Sequence, residues 1–378
     1  MQHKVSIASI ASIALLALAI AGGPSAPAGG VTPAAMSSPI PSWNKDAAAQ
    51  YLDSREEWWQ SWPKAQRDHS TVCVSCHSVL PYALARPALR RQMGQQGFAP
   101  PERILFDDVA KRVTLWSDVE PFYKDSKSGP TKSIESRSTE AVLNALILAN
   151  YDAGNHHLTE LTREAFANAW ALQRHSGDNS GAWIWLNFKN APWESDESEY
   201  HGAALAALAV GIAPDRYRDS PQIQGNLREL RGYLRREYPA QPLVNRIVLL
   251  WASARLPGLL TARQRSTLIA SIYAAQQPDG GWSLTDLGSW KRRDDTPLVR
   301  KSDGYATGLT VLALEENGMR RSAQVKRGLL WLRENQNSPA GYWQAWSLNK
   351  QRDLSSDAGP FMDDAATGYA VLALENAR

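Results

Sequence analysis

The feature that most constrains this chain is an internal repeat. The segment DGYATGLTVLALEENG (303–318) matches DAATGYAVLALENAR (364–378), and both read Ala-Thr-Gly followed by Val-Leu-Ala-Leu-Glu. Looser copies are EYHGAALAALAVGI (199–212) and STEAVLNALILANYDAG (138–154). A second element comes before several of them. SIYAAQQPDGGWS (271–283), WLRENQNSPAGYWQAW (331–346) and WALQRHSGDNSGAWIW (170–185) each carry Gln at a helix end, then a Gly-bearing turn, then Trp. A unit repeated in this way cannot bury its apolar face alone, so neighbouring units must stack.

Helical periodicity dominates the chain, and strand-like alternation is rare. The pattern predicts helices near 46–62, 81–93, 101–117, 137–151, 158–173, 197–211, 220–237, 243–256, 261–276, 303–317, 320–335 and 363–376. These fall into pairs. The Ala- and Gly-rich members suit a crowded inner layer, and Arg-rich ones such as NLRELRGYLRREY suit a wet outer layer. An open helical solenoid would give the same repeats, but a closed ring is the expectation.

A helix ending in Gln, followed by a Gly turn and Trp, resembles the QW repeat of the terpenoid-cyclase and protein-prenyltransferase superfamily, squalene–hopene cyclases included. The resemblance covers roughly residues 100–378, and QQPDGGW is its most specific part. It implies an all-α fold, an α/α toroid of about six inner and six outer helices. In that fold the Gln and Trp tie the end of an outer helix to the next turn.

The N-terminus has the layout of an export signal: Lys4, an apolar run from Val5 to Ala21, then Ala26-Pro27-Ala28. The expected organisation is a signal peptide over 1–28 and a flexible Pro/Ser/Ala-rich lead over 29–45. N-terminal helices carrying a cysteine loop then occupy 46–130, and the repeat toroid 131–378. The mature chain is expected to be periplasmic with no membrane span, because no later apolar run reaches spanning length. A net charge of +3 argues against nucleic acid as a partner.

Both cysteines lie in DHSTVCVSCHSVLP: Cys73 and Cys76, with His77 next. Cys-x-x-Cys-His is the signature of covalent c-type haem attachment, in which the thiols hold the vinyl groups and the histidine binds the iron. A redox C-x-x-C, a plain disulfide, or a metal site that adds His69 share the same residues. With haem, the sixth ligand would be Met362, which ring closure brings against the first helix pair, or the local His69, and a five-coordinate iron is the alternative.

Polar residues begin the inner helices, among them His201, Asp303, Asp363 and Asp364. Proton-initiated cyclases carry Asp-x-Asp-Asp there. FMDDAATGYAVLAL keeps the last two acids, Asp363 and Asp364, but has Phe361 in place of the first. The resemblance assigns proton donation to Asp363, and the missing acid weakens the cyclase expectation. No cysteine remains outside the motif for prenyltransferase zinc. NKQRDLSSD and WKRRDDTP read as polar loops near the mouth.

The leading expectation is therefore an exported haem c protein on a cyclase-like toroid. It would transfer electrons to a partner protein or oxidise a terpenoid or other apolar ligand in the barrel mouth. The alternatives are a non-redox toroid enzyme, either cyclase-like or polysaccharide-lyase-like, and an apolar-ligand binding module.

Overall fold

Helices that are apolar all round must sit inside, and helices with one apolar stripe must wrap them. The computed structural model describes residues 42–124 and 129–377. The expected signal peptide and most of the flexible lead lie outside the described residues. The outer helices are α1 (Lys45–Ser61), α3 (Pro100–Thr114), α5 (Glu160–Ala171), α7 (Gln224–Glu237), α9 (Ala262–Ala274) and α11 (Ala323–Glu334). The inner helices are α2 (Val79–Gln92), α4 (Gly129–Asn155), α6 (Ser198–Ile212), α8 (Leu243–Arg255), α10 (Gly304–Glu316) and α12 (Phe361–Asn376). Each inner helix packs on the next, and α12 returns to α2. The ring is closed, so the architecture is an α/α toroid.

Small residues set the spacing of the inner ring. A Cβ on Gly308 would lie 2.5 Å from the Ala370 nitrogen, and one on Gly368 would lie 2.5 Å from Pro81. Every residue from Gly304 to Glu315 is buried, as expected of a helix with neighbours on all sides. One boundary differs from expectation. Helix α4 begins at Gly129, about two turns before the expected 137. Its first turns carry few apolar residues and are held by polar ties instead. Ser133 Oγ donates to the Tyr123 carbonyl at 2.7 Å, and the Arg137 guanidinium lies 3.7 Å from the centre of the Trp116 ring.

The repeated Gln, Gly and Trp build one joint three times. Two residues past its outer helix, the glutamine donates both to its own turn and to the start of the next outer helix. Gln173 reaches Gly181 and Asn226 (3.0 and 3.1 Å), Gln276 reaches Gly280 and Gln324 (both 2.8 Å), and Gln336 reaches Gly341 and Asn44 (3.2 and 2.9 Å). The third joint therefore spans from the last outer helix to the first. Each indole N–H donates back into its outer helix: Trp183 to Ala169, Trp282 to Ile272 and Trp343 to Leu332, at 2.6, 2.8 and 2.7 Å.

The middle of the ring is filled. Trp193, Tyr305, Tyr369 and Trp251 meet edge-to-face in series, with ring centres 5.3, 5.2 and 6.2 Å apart. This column separates the mouth, where inner helices begin, from a cavity of about 300 Å³ at the other end that Trp251 lines. Three long loops roof the mouth, 172–197, 275–303 and 335–360. They are latched across sequence: Asn349 exchanges side-chain hydrogen bonds with the Ala191 backbone (2.8 and 2.7 Å), and Arg293 donates to Asn190 Oδ1 at 2.7 Å.

Candidate functional site

The first loop of the ring carries the cysteine motif and is built differently from the three repeated joints. A two-residue hairpin, Gln66–Arg67 against Thr71–Val72, opens it. Ser75 Oγ accepts from the backbone N–H groups of Ser78 and Val79 at 3.2 and 3.1 Å, which starts α2. Here the tie is reversed. Trp59, on the outer helix, donates its indole N–H to the Cys73 carbonyl in the loop at 2.8 Å. Cys73 and Cys76 are free thiols, 6 % and 3 % exposed. Burial pushes the Cys73 thiol up to about 11 and Cys76 well above its usual range, with Glu194 the first charged neighbour acting on Cys76. Both stay protonated near neutrality and are poor nucleophiles.

His77 is half-buried and borders a cavity of about 220 Å³. Its ring stacks on Phe361 (centres 3.9 Å apart, planes at 20°) and meets Trp59 edge-on at 5.4 Å. Its Nδ1 lies 2.9 Å from Ser78 Oγ, and that hydroxyl donates to Asp364 Oδ2 at 2.6 Å. The hydroxyl proton is thus committed, so Nδ1 must supply its own proton and Nε2 keeps the lone pair. Asp364 is itself fixed by Arg55 (2.7 and 3.0 Å) and by the Tyr51 hydroxyl (2.9 Å). Burial, with the nearby Arg55 and Arg352 charges, pushes the His77 pKa down to about 3. The imidazole is neutral in ordinary buffers.

The same cavity receives Glu194 from the 172–197 loop and Arg352 from the 335–360 loop, with Trp62, Trp193 and Phe361 as aromatic walls. Glu194 is the one carboxylate bordering it among the described residues. Burial raises its pKa to about 7, against a hydrogen bond from Asn190 and the charge of Lys132. An uncharged acid and a neutral base therefore border one aromatic chamber near pH 6.

The acids picked out by sequence have other work. Asp303 accepts from the backbone N–H groups of Leu284 and Ala306 at 2.6 and 2.8 Å, and Asp363 accepts from Ala345 at 2.9 Å. Both pin a repeated loop to its inner helix. Burial holds each near a pKa of about 7. Asp364 orients His77 through Ser78. His201 is 1 % exposed against Trp185 and does not border the mouth cavity. Met362 does border it, as ring closure requires, while His69 is exposed beside Asp68 at 3.8 Å. Sequence reasoning missed Glu194, and it met Arg352 only as part of the polar stretch NKQRDLSSD.

No protein-family model matches the chain, and no curated protein matches it. Solved structures similar to it include a glycosidase at 12% identity and TM-score 0.49, spanning 87% of this chain and 97% of that one. A polysaccharide lyase is 12% identical with TM-score 0.34, spanning 89% and 90%. A glycosyl hydrolase of family 88 from Bacteroides vulgatus is 11% identical with TM-score 0.33, spanning 89% and 92%.

The reading of the cysteine motif as a haem, iron and electron-transfer centre is corrected. Among the described residues, no group of three or more His, Cys, Asp or Glu side chains could hold a metal. The chamber beside His77, about 220 Å³, is also smaller than the ~300–1,000 Å³ usual for drug-sized ligands. Both cysteines are sealed into the core wall.

Proposed function

We propose that the mouth chamber is the active site of a non-redox enzyme that cleaves a polysaccharide chain by acid–base elimination. The observation that carries this is the pairing of Glu194, protonated near neutrality, with His77, neutral and held with its lone pair on Nε2. Hydrolysis of a glycosidic bond ordinarily uses two carboxylates flanking it, and this chamber has one. A single acid and a neutral base lining one chamber suit elimination better. His77 takes a proton from carbon, and the C–H pair becomes a C=C bond. The neighbouring C–O bond breaks, and Glu194 gives its proton to the leaving oxygen. No oxidant or water is consumed, and solvent restores both protonation states. Aromatic walls and a depth limited by the Trp193–Tyr305 floor favour the end of a sugar chain over a threaded strand. The similar solved structures are a glycosidase, a polysaccharide lyase and a glycosyl hydrolase.

The test is to incubate the mature protein with a panel of plant and bacterial polysaccharides and follow the ultraviolet absorbance of the new double bond. Glu194→Gln is expected to lower the rate by ~10²–10⁴. The pH profile follows from the two shifts. Activity needs Glu194 protonated and His77 neutral, so kcat/KM should fall as pH rises through about 7 and as it drops towards about 3. Reducing ends without absorbance would mean hydrolysis, and an inert protein across the panel would overturn the reading.

A further inference from the structure

We propose that Arg352 is an anion-recognition point at the junction of two chambers, so that the substrate carries a carboxylate or sulfate group. This deepens the reading of the mouth as an active site and rests on it. Arg352 borders the His77 chamber and an adjoining one of about 300 Å³ that also holds Arg292 and Trp346. Both chambers share Ser347 and Met362, so a ligand lying across them passes the guanidinium.

Among the described residues, no ion pair or hydrogen bond engages Arg352, and the charged group acting on it is another cation, Arg293. The neighbouring acids are turned to other partners. Asp294 accepts from Gln351 N at 2.8 Å and Thr296 Oγ1 at 2.7 Å, Asp353 from Ser355 Oγ at 2.7 Å, and Asp357 from Trp62 Nε1 at 3.2 Å. Arg292 is 6 % exposed and bound by the carbonyls of Ser347 and Pro297 rather than by a carboxylate. The paired chambers thus hold two guanidinium groups against the single carboxylate of Glu194.

A half-buried guanidinium with no counter-charge is costly unless a ligand supplies one. Its planar fork matches carboxylate and sulfate oxygens two at a time. The focused positive field would also draw an anionic chain to the mouth. For elimination, a carboxylate beside the proton-losing carbon is the group whose developing charge most needs such a partner.

The experiment is a titration of tryptophan fluorescence of the mature protein with three trimers of equal length: galacturonate, galactose, and sulfated galactose. The acidic trimers are expected to bind about ten- to a hundredfold more tightly than the neutral one, the gain of a charged hydrogen-bonded pair. Arg352→Gln should erase that difference, Arg352→Lys should keep part of it, and added salt should shrink it. A preference between the acidic trimers tells carboxylate from sulfate. Equal binding of acidic and neutral trimers by the wild type, or an acidic preference unchanged in Arg352→Gln, would overturn the proposal. Acidic trimers that bind through Arg352 but are never cleaved would uphold the anion site and sink the elimination reading. Cleavage of acidic chains with the new ultraviolet absorbance, at the same rate in Arg352→Gln as in the wild type, would do the reverse.

Discussion

The three Gln–Gly–Trp joints and the cysteine loop occupy the same slot, between an outer helix and the inner helix that follows it. They solve it in opposite directions. In the joints the loop's indole reaches back into the outer helix, at 2.6 to 2.8 Å, and the loop lies down as structure. In the cysteine loop the outer helix's indole, that of Trp59, reaches forward to hold the Cys73 carbonyl. That reversal leaves the loop's own ring, His77, free to border the cavity. A repeated slot can therefore become a site when the anchoring group moves from the loop to the scaffold.

The most damaging way to probe the comparison is to remove a joint's indole. Trp343 is 0 % exposed, and a Cβ on Gly304 would lie 2.4 Å from its Cβ and 3.3 Å from the first atom of its ring. Trp343→Ala should cost about 3–5 kcal/mol, read as a lower midpoint in urea unfolding. Trp59→Phe keeps a six-membered ring in the same place and removes the pyrrole part of the indole together with its donor to Cys73. It should cost about 1–3 kcal/mol for the orphaned carbonyl, with a larger loss of activity than of stability. If the two substitutions cost alike, the loops are not anchored in the different ways described.

Next comes the glycine that closes the ring. Gly341 has φ +86, and a Cβ there would lie 2.0 Å from the Ala47 carbonyl oxygen of α1. Gly318 has φ +81 with nothing within 4 Å. Gly318→Ala should cost about 1–2 kcal/mol, the backbone penalty alone. Gly341→Ala must pay that and also push α1 from α11, so its melting temperature should fall further. Equal shifts would show that the last joint does not clamp the ring.

The comparison also explains what was legible in the sequence. Inner and outer helices were readable because their periodicity differs, and the ring was readable because Gln, Gly and Trp recur at fixed places. Gly181, Gly280 and Gly341 combine positive φ with close approach to the next outer helix, so they could not drift. The chemistry was less readable. The Cys-x-x-Cys-His spacing marked His77 but suggested the wrong group beside it. The acids of the partial cyclase motif marked inner-helix starts, where Asp303 and Asp363 serve as loop pins. Glu194 and Arg352 lie in loops without periodicity. They share a chamber only once loops distant in sequence latch, as Asn349 does with Ala191 across 158 positions.

A gentler test is Ser78→Ala. The substitution removes the hydroxyl that accepts from His77 Nδ1 and donates to Asp364, while Arg55 and Tyr51 still hold Asp364. The ring is then free to take the other tautomer, with the proton on Nε2. Activity should fall by less than the ~10²–10⁴ expected of a group that itself moves the proton. The loss should appear in kcat rather than KM. A change in KM alone would mean that His77 only lines the wall.

The smallest effect belongs to the cysteines. Cys76 is 3 % exposed, and burial, with Glu194 and Cys73 nearby, raises the pKa of its thiol. As a buried thiol it is a small apolar filler, and Cys76→Ala exchanges a sulfur for a void. At ~24 cal/mol per Å³ such a void costs roughly 1 kcal/mol or less. Cys73→Ala should behave alike, and neither should change turnover, because burial keeps both thiols protonated. The intact mass of the protein should be that of the polypeptide alone. A large added mass on the peptide carrying Cys73 and Cys76, or loss of activity in either alanine variant, would erase the contrast between filler and site. The cysteine loop would then have to be read by its thiols rather than by His77.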